Sequence, residues 1–203
     1  MAIISNGTTI ADAGAFSVNL GSMVHIKTLT ASSSGTLSFV HGTDGVVLDS
    51  TYPIYKFEFI GCHPATNNGI FSFQGSTDGG SNYNIAMTTT WFYAGHAENG
   101  GGGYLVYGSA ADQANGTAFQ RLSAGIFNDN DNTLDGELSI YNPSSTTFVK
   151  HFMSRNATKG DEANDVYIAG YFNTTSALNA FQFKFNSGNI DAGKIKLYGI
   201  KDS

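Results

Sequence analysis

Charge, proline and cysteine are all scarce in this chain of 203 residues. Asp, Glu, Lys and Arg together make up 13% of it, about half of the ~25% usual in soluble domains. Disordered chains combine high charge with few aromatics. This chain has the opposite bias, so that class is excluded. Ten Lys and Arg stand against sixteen Asp and Glu, a net charge of −6, with no basic cluster anywhere. A nucleic-acid partner would announce itself as a basic stripe or patch, and none is expected. The single cysteine, Cys62, forbids an internal disulfide. Three prolines beside 25 glycines rule out collagen-like and proline-rich architectures. No apolar run approaches the roughly 18 residues that a membrane helix needs. No basic-then-apolar leader opens the sequence. The expectation is a product folded in the cytoplasm and not inserted in a membrane.

What the chain does have is rings: fifteen Phe, ten Tyr and one Trp, within a hydrophobic content of 41%. A chain of this length can bury roughly 70% of its unfolded surface, so a core without staples is feasible. The pattern of those rings is the strongest signal. Tyr55, Phe57 and Phe59 alternate with Lys56 and Glu58, and Phe181, Phe183 and Phe185 alternate with Gln182 and Lys184. Ile195 and Leu197 alternate with Lys194 and Lys196. A period of two places every second side chain on one face of a strand, here one face on the core and one in water. Weaker alternation covers 23–30, 36–41, 70–74, 137–141, 147–153 and 166–172, and a longer β-prone run covers 85–93.

Turn chemistry separates these runs. Gly42-Thr43-Asp44-Gly45, Asn67-Asn68-Gly69, Asp78-Gly79-Gly80, Asn99-Gly100 and Asp135-Gly136 supply the positive φ that tight turns require. Many short strands with regular turns read as a sandwich or a barrel. The best helix candidate is 109–115, about two turns between glycines. No repeat of fixed period is present, which excludes a propeller or solenoid. The expected organisation is an N-terminal arm over 1–20 and one β domain over 21–203, with the glycines 100–103 forming a wide loop inside it.

The chain carries no G-x-S-x-G elbow, P-loop, H-E-x-x-H or C-x-x-C, and its five histidines are scattered. Cys62-His63 resembles a thiol–imidazole pair. Neighbours on an extended chain point to opposite sides, however, so Cys62 is expected to end a strand and His63-Pro64 to begin a loop. Calcium favours carboxylate and carbonyl oxygens, and the acidic loop 128–137 offers Asp129, Asp131 and Asp135. Counted from Asp131 it matches an EF-hand at Thr133, Asp135 and Gly136, but the twelfth position is Asn142 and no helices flank it. An irregular calcium site stays open there, and no other cofactor is expected. Trp91, Tyr93, Tyr104 and Tyr107 flank the glycine loop and are candidates for stacking on sugar rings, with core packing as the alternative for at least half. Glu58, Glu98, Glu137 and Glu162 are available for glycoside hydrolysis, which needs two carboxyls across a cleft. Nothing in their spacing pairs them, and no catalytic residue is assigned.

One segment carries more than composition. Asn179-Ala-Phe-Gln-Phe-Lys-Phe-Asn-Ser-Gly-Asn-Ile-Asp-Ala-Gly-Lys-Ile-Lys-Leu-Tyr-Gly-Ile200 resembles the closing hairpin of β-sandwich domains in tailed-phage virion proteins. Tyr55-Lys-Phe-Glu-Phe-Ile60, Phe71 to Gly80 with its Asp-Gly-Gly turn, and Gly136-Glu-Leu-Ser-Ile-Tyr-Asn-Pro143 are similar to that family's central strands. The resemblance spans most of 35–200. It implies an all-β fold, an antiparallel β-sandwich of the jelly-roll type with at most one short helix, and a structural place in the virion without enzymatic activity. Two roles are compatible with it. One is a capsid decoration or cement module, assembled in the host bacterial cytoplasm and held on the major capsid protein, as a homotrimer. The other is a tail or short-fibre adsorption module that binds host surface glycan. The N-terminal arm and the last strand, near Tyr198 and Ile200, are the expected contact regions.

Overall fold

The computed structural model describes residues 3–6, 8–12, 15, 16 and 22–202. Fifteen strands follow one another: β1 (Ile3–Ser5), β2 (Thr8–Asp12), β3 (Ala15–Phe16), β4 (Met23–Thr30), β5 (Leu37–Val40), β6 (Ile54–Pro64), β7 (Phe71–Ser76), β8 (Met87–Ala97), β9 (Gly103–Tyr107), β10 (Gln120–Arg121), β11 (Leu134–Tyr141), β12 (Lys150–Lys159), β13 (Glu162–Phe172), β14 (Ala180–Phe185) and β15 (Ile190–Ile200). An eight-stranded sheet runs in the order β4-β15-β6-β11-β12-β13-β8-β9, and a four-stranded sheet in the order β10-β7-β14-β5. Both are antiparallel throughout. They pack face to face as an all-β sandwich, and no helix occurs among the described residues.

The alternation read from the sequence decides which face each strand turns inward. Tyr55, Phe57 and Phe59 of β6 are buried, as are Phe181, Phe183 and Phe185 of β14 from the opposite sheet. Phe57 meets Phe181 at 5.5 Å and Phe183 at 5.1 Å between ring centroids, while Phe59 meets Phe71 at 5.4 Å. Phe73 reaches across to Phe152 at 5.1 Å, edge to face. Such tilted contacts add about 0.5–1.5 kcal/mol each beyond the area they bury. The chain changes sheet at most of its connections, because each strand's apolar face must reach this one shared layer.

Within the expected arm, β1, β2 and β3 pair as a small antiparallel meander, and its residues 1, 2, 7, 13, 14 and 17–20 lie outside those described. Three expectations are corrected here. The strand through Cys62 does not stop there: β6 continues to Pro64 past a bulge at Gly61, whose φ of 58° turns the chain and returns Cys62 to the inner face. The segment 109–115 forms no helix because β8 takes its backbone groups. Gln113 N–H donates to Thr89 Oγ1, Asn115 N–H to Thr88 Oγ1, and Gly116 exchanges both its bonds with Met87. The final two strands do not form a hairpin either. β14 pairs with β7 and β5, and β15 with β4 and β6, so residues 186–189 cross between the sheets. In a hairpin the rings of β14 and the Ile195–Leu197 pair of β15 would share one sheet. In the crossover they face each other through the core.

Candidate interaction surface

On the eight-stranded sheet, the residues that alternate with the core residues line up across the strands. Register places Lys196 beside Glu58, Glu58 beside Glu137, Glu137 beside Arg155, Arg155 beside Tyr167, Tyr167 beside Phe92 and Phe92 beside Tyr107. This row is the organising feature of the outer face. Lys56 Nζ lies 2.5 Å from Glu137 Oε2, and Arg155 clamps Asp165 at 2.6 Å through Nη2 and 3.0 Å through Nε. Tyr167 donates its hydroxyl to the same Asp165 at 2.9 Å. Its ring is stacked on Phe92 at 5.0 Å and 4° between planes, and the Arg155 guanidinium sits 5.1 Å over its centroid. The bonds from Arg155 first, and then from Tyr167, hold the Asp165 carboxyl below its ordinary range.

Next to this ladder, Met153 is 58% exposed and Phe92 37%. One side opens into a trough of about 900 Å³ whose lining includes the small residues Ala94, Ala157 and Ala163 together with Glu58, Asp135 and His96. The other side holds a pocket of about 340 Å³ bounded by Phe92, Tyr141, Met153 and Tyr167. The outer face therefore carries an accessible apolar centre beside two ion pairs, Arg155–Asp165 and Lys56–Glu137.

The structure divides the four aromatic candidates. Trp91 belongs to the core, at 5% exposure, because it shares its β8 face with Met87 and Thr89. Tyr93 is half-buried against it, with centroids 5.0 Å apart. Core packing, the alternative given for at least half of the four, thus describes these two. Tyr104 and Tyr107 stand on β9 at the open edge, at 37% and 57% exposure. Their hydroxyls reach Asn164 Oδ1 at 3.4 Å and Asp112 Oδ2 at 2.5 Å.

The three calcium candidates are turned to different partners. Asp135 Oδ1 accepts the Gly61 N–H at 2.8 Å, which pins the β6 bulge, and its Oδ2 accepts from Thr133. Asp131 pairs with Lys159 at 3.1 Å, and that contact lowers its carboxyl pKa. Asp129 receives Asn132 Nδ2 at 3.5 Å. Among the described residues, no three His, Cys, Asp or Glu side chains are grouped to hold a metal ion. Cys62 is fully buried, and burial pushes its thiol up to about 12. His63, on β6, contacts the Asp129 carbonyl at 3.1 Å and Asp191 at 3.7 Å, so it ties the acidic loop to the start of β15.

Two residues that no sequence spacing paired are neighbours: Glu58 and Glu137 face each other across β6 and β11. Seventy-nine positions separate them in the chain, and only the strand order 6-11 joins them. Phe92 and Tyr167 escaped the sequence reading for the same reason. No protein-family model, curated protein or solved structure matches this chain.

Proposed function

We propose that this protein is a non-enzymatic structural module of a tailed-phage virion, a decoration or cement protein seated on coat subunits of the head. The virion part of this reading rests on the resemblance of 179–200 and of the central strands. The observation that carries the mode of action is the apolar centre of Phe92, Tyr167 and Met153 on the outer face, ringed by the Arg155–Asp165 and Lys56–Glu137 pairs. Aromatic residues, Met and Arg are enriched at the centres of protein interfaces, and rims are polar. Burying one such side chain against a coat subunit contributes about 1.5–3 kcal/mol, and many copies would add up to resistance against internal pressure. In this reading the sandwich is a jelly-roll variant with one widened sheet, a form that its repeated sheet-to-sheet crossings support.

Antibody labelling of virions by electron microscopy tests the proposal. Regular decoration of the head, abolished when Met153→Lys protein replaces the natural chain, is the expected result. Label confined to the tail would replace it with adsorption to host glycan through Tyr104 and Tyr107. Absence from the particle would overturn both.

A further inference from the structure

The four outer strands of the two large sheets are not protected alike. β10 has two residues, one of them Arg121, and β5 has four. β4 carries Lys27, whose Nζ donates to the Asp44 carbonyl at 3.0 Å, and its pairing with β15 is broken by a register shift. Short strands, lysines and bulges are the devices by which sheets blunt their edges. β9, at five residues, has neither a lysine nor a bulge. Its sequence Gly103-Tyr-Leu-Val-Tyr107 is uncharged, it pairs evenly along β8, and every one of its residues is exposed, with Leu105 at 71%.

The direction of its free backbone groups follows from one bond. Gly108 N–H donates to the Trp91 carbonyl at 2.9 Å, so positions 108 and 91 are a hydrogen-bonded pair. Bonding alternates along an antiparallel ladder, which makes Val106 and Tyr104 the next residues bonded to β8. Gly103, Leu105 and Tyr107 therefore turn their N–H and C=O groups away from the sheet. Among the described residues no other backbone group reaches them.

We infer that β9 is the site at which a second copy of this chain adds, antiparallel, to make one continuous sheet across a twofold axis at Leu105. Outward-bonding residues must oppose outward-bonding residues, and one register satisfies this while using all five positions. It sets Leu105 against Leu105 of the second copy, Gly103 against Tyr107, and Tyr104 against Val106. The three bonded pairs give roughly six N–H···O bonds. Tyr104 opposite Val106 is an aromatic–β-branched pair, a favourable cross-strand combination, and Tyr107 covers the bare Gly103. The Tyr104 and Tyr107 hydroxyls are already bonded within their own chain, which orders the rings before association. Such an interface is isologous, so it closes as a dimer and not as the trimer expected from sequence. Five residues bury less than the ~1,200–2,000 Å² of a standard interface, so the dimer forms in a concentration-dependent way.

The inference is independent of the virion reading and is tested on the purified full chain. Sedimentation velocity over a concentration series is expected to show a reversible monomer–dimer equilibrium, shifted at least tenfold towards monomer by Leu105→Lys, which would place two charges face to face. The register is tested by air oxidation. Leu105→Cys is expected to give a disulfide-linked dimer, because opposed bonded residues lie about 5.5 Å apart, within the 4.4–6.8 Å range of disulfide Cα pairs. Val106→Cys is expected not to, because its diagonal distance to its own copy is about 7–8 Å. Cys62 is buried and does not compete. A wild-type chain that stays monomeric throughout, a Leu105→Lys chain that dimerises as before, or equal cross-linking of the two cysteine variants would overturn the inference.

Discussion

Phe183 is the hub of the aromatic layer, and truncating it provides the sharpest test of how the sandwich is held. The ring is fully buried and lies within 6.3 Å, centroid to centroid, of Phe39, Phe57, Phe59, Phe71 and Phe73. These neighbours come from both sheets, so no single strand can shift to refill the space. A Phe→Ala change in such a place costs about 3–5 kcal/mol, transfer and cavity together. At roughly 2–4 °C per kcal/mol for a chain of this size, the melting temperature should fall by about 6–20 °C. Equilibrium urea unfolding measures the loss directly, with Phe148→Ala as the reference. Phe148 is 72% exposed and should change stability by no more than about 0.5 kcal/mol. The double variant Phe57→Ala/Phe183→Ala should cost less than the two single losses together, by about 0.5–3 kcal/mol, because both rings border one cavity. A loss below about 1 kcal/mol for Phe183→Ala, or strict additivity with Phe57→Ala, would refute the shared-layer argument.

Two further outcomes follow from buried and loop polar groups. Asp78 accepts bonds from Ser76 Oγ, Asn82 N–H and Asn82 Nδ2, led by Ser76, and its carboxyl falls from 3.8 to about 2. A folded pKa below the unfolded one gives stability that is present above pH 3.8 and is lost as pH falls towards 2. The urea midpoint of Asp78→Asn should therefore fall less than that of the natural chain across this window. Gln120, fully buried, accepts from Thr89 Oγ1 and donates to the Ala111 and Arg121 carbonyls. Gln120→Leu should cost about 1–3 kcal/mol for each group left bare, and amide exchange at Gln113 should accelerate before exchange in β6.

The alternation of Tyr55, Phe57 and Phe59 with Lys56 and Glu58, and of the three β14 phenylalanines with their polar neighbours, determined from sequence alone that this is a β protein and which side chains enter its core. A period of two is a local property of the chain, so it survives without knowledge of partners. The glycine and asparagine turns are legible for the same reason. Where both faces of a strand are apolar, that logic has nothing to choose with. In β8, Trp91 and Phe92 are adjacent and both aromatic, and only the placing of Met87, Thr89 and Trp91 on the buried face sends the tryptophan inward. In β9, Tyr-Leu-Val-Tyr reads like a strand buried on both faces, yet its place at the end of the sheet leaves it exposed. Pairing across long separations is decided only in three dimensions. It placed Glu58 beside Glu137, stacked Phe92 on Tyr167, recruited Asp135 to a bulge, and drew the backbone of 109–116 onto β8 in place of a helix. Strand order follows from the cost of burying one continuous apolar layer, a global quantity, and the outer surface is whatever that solution leaves uncovered.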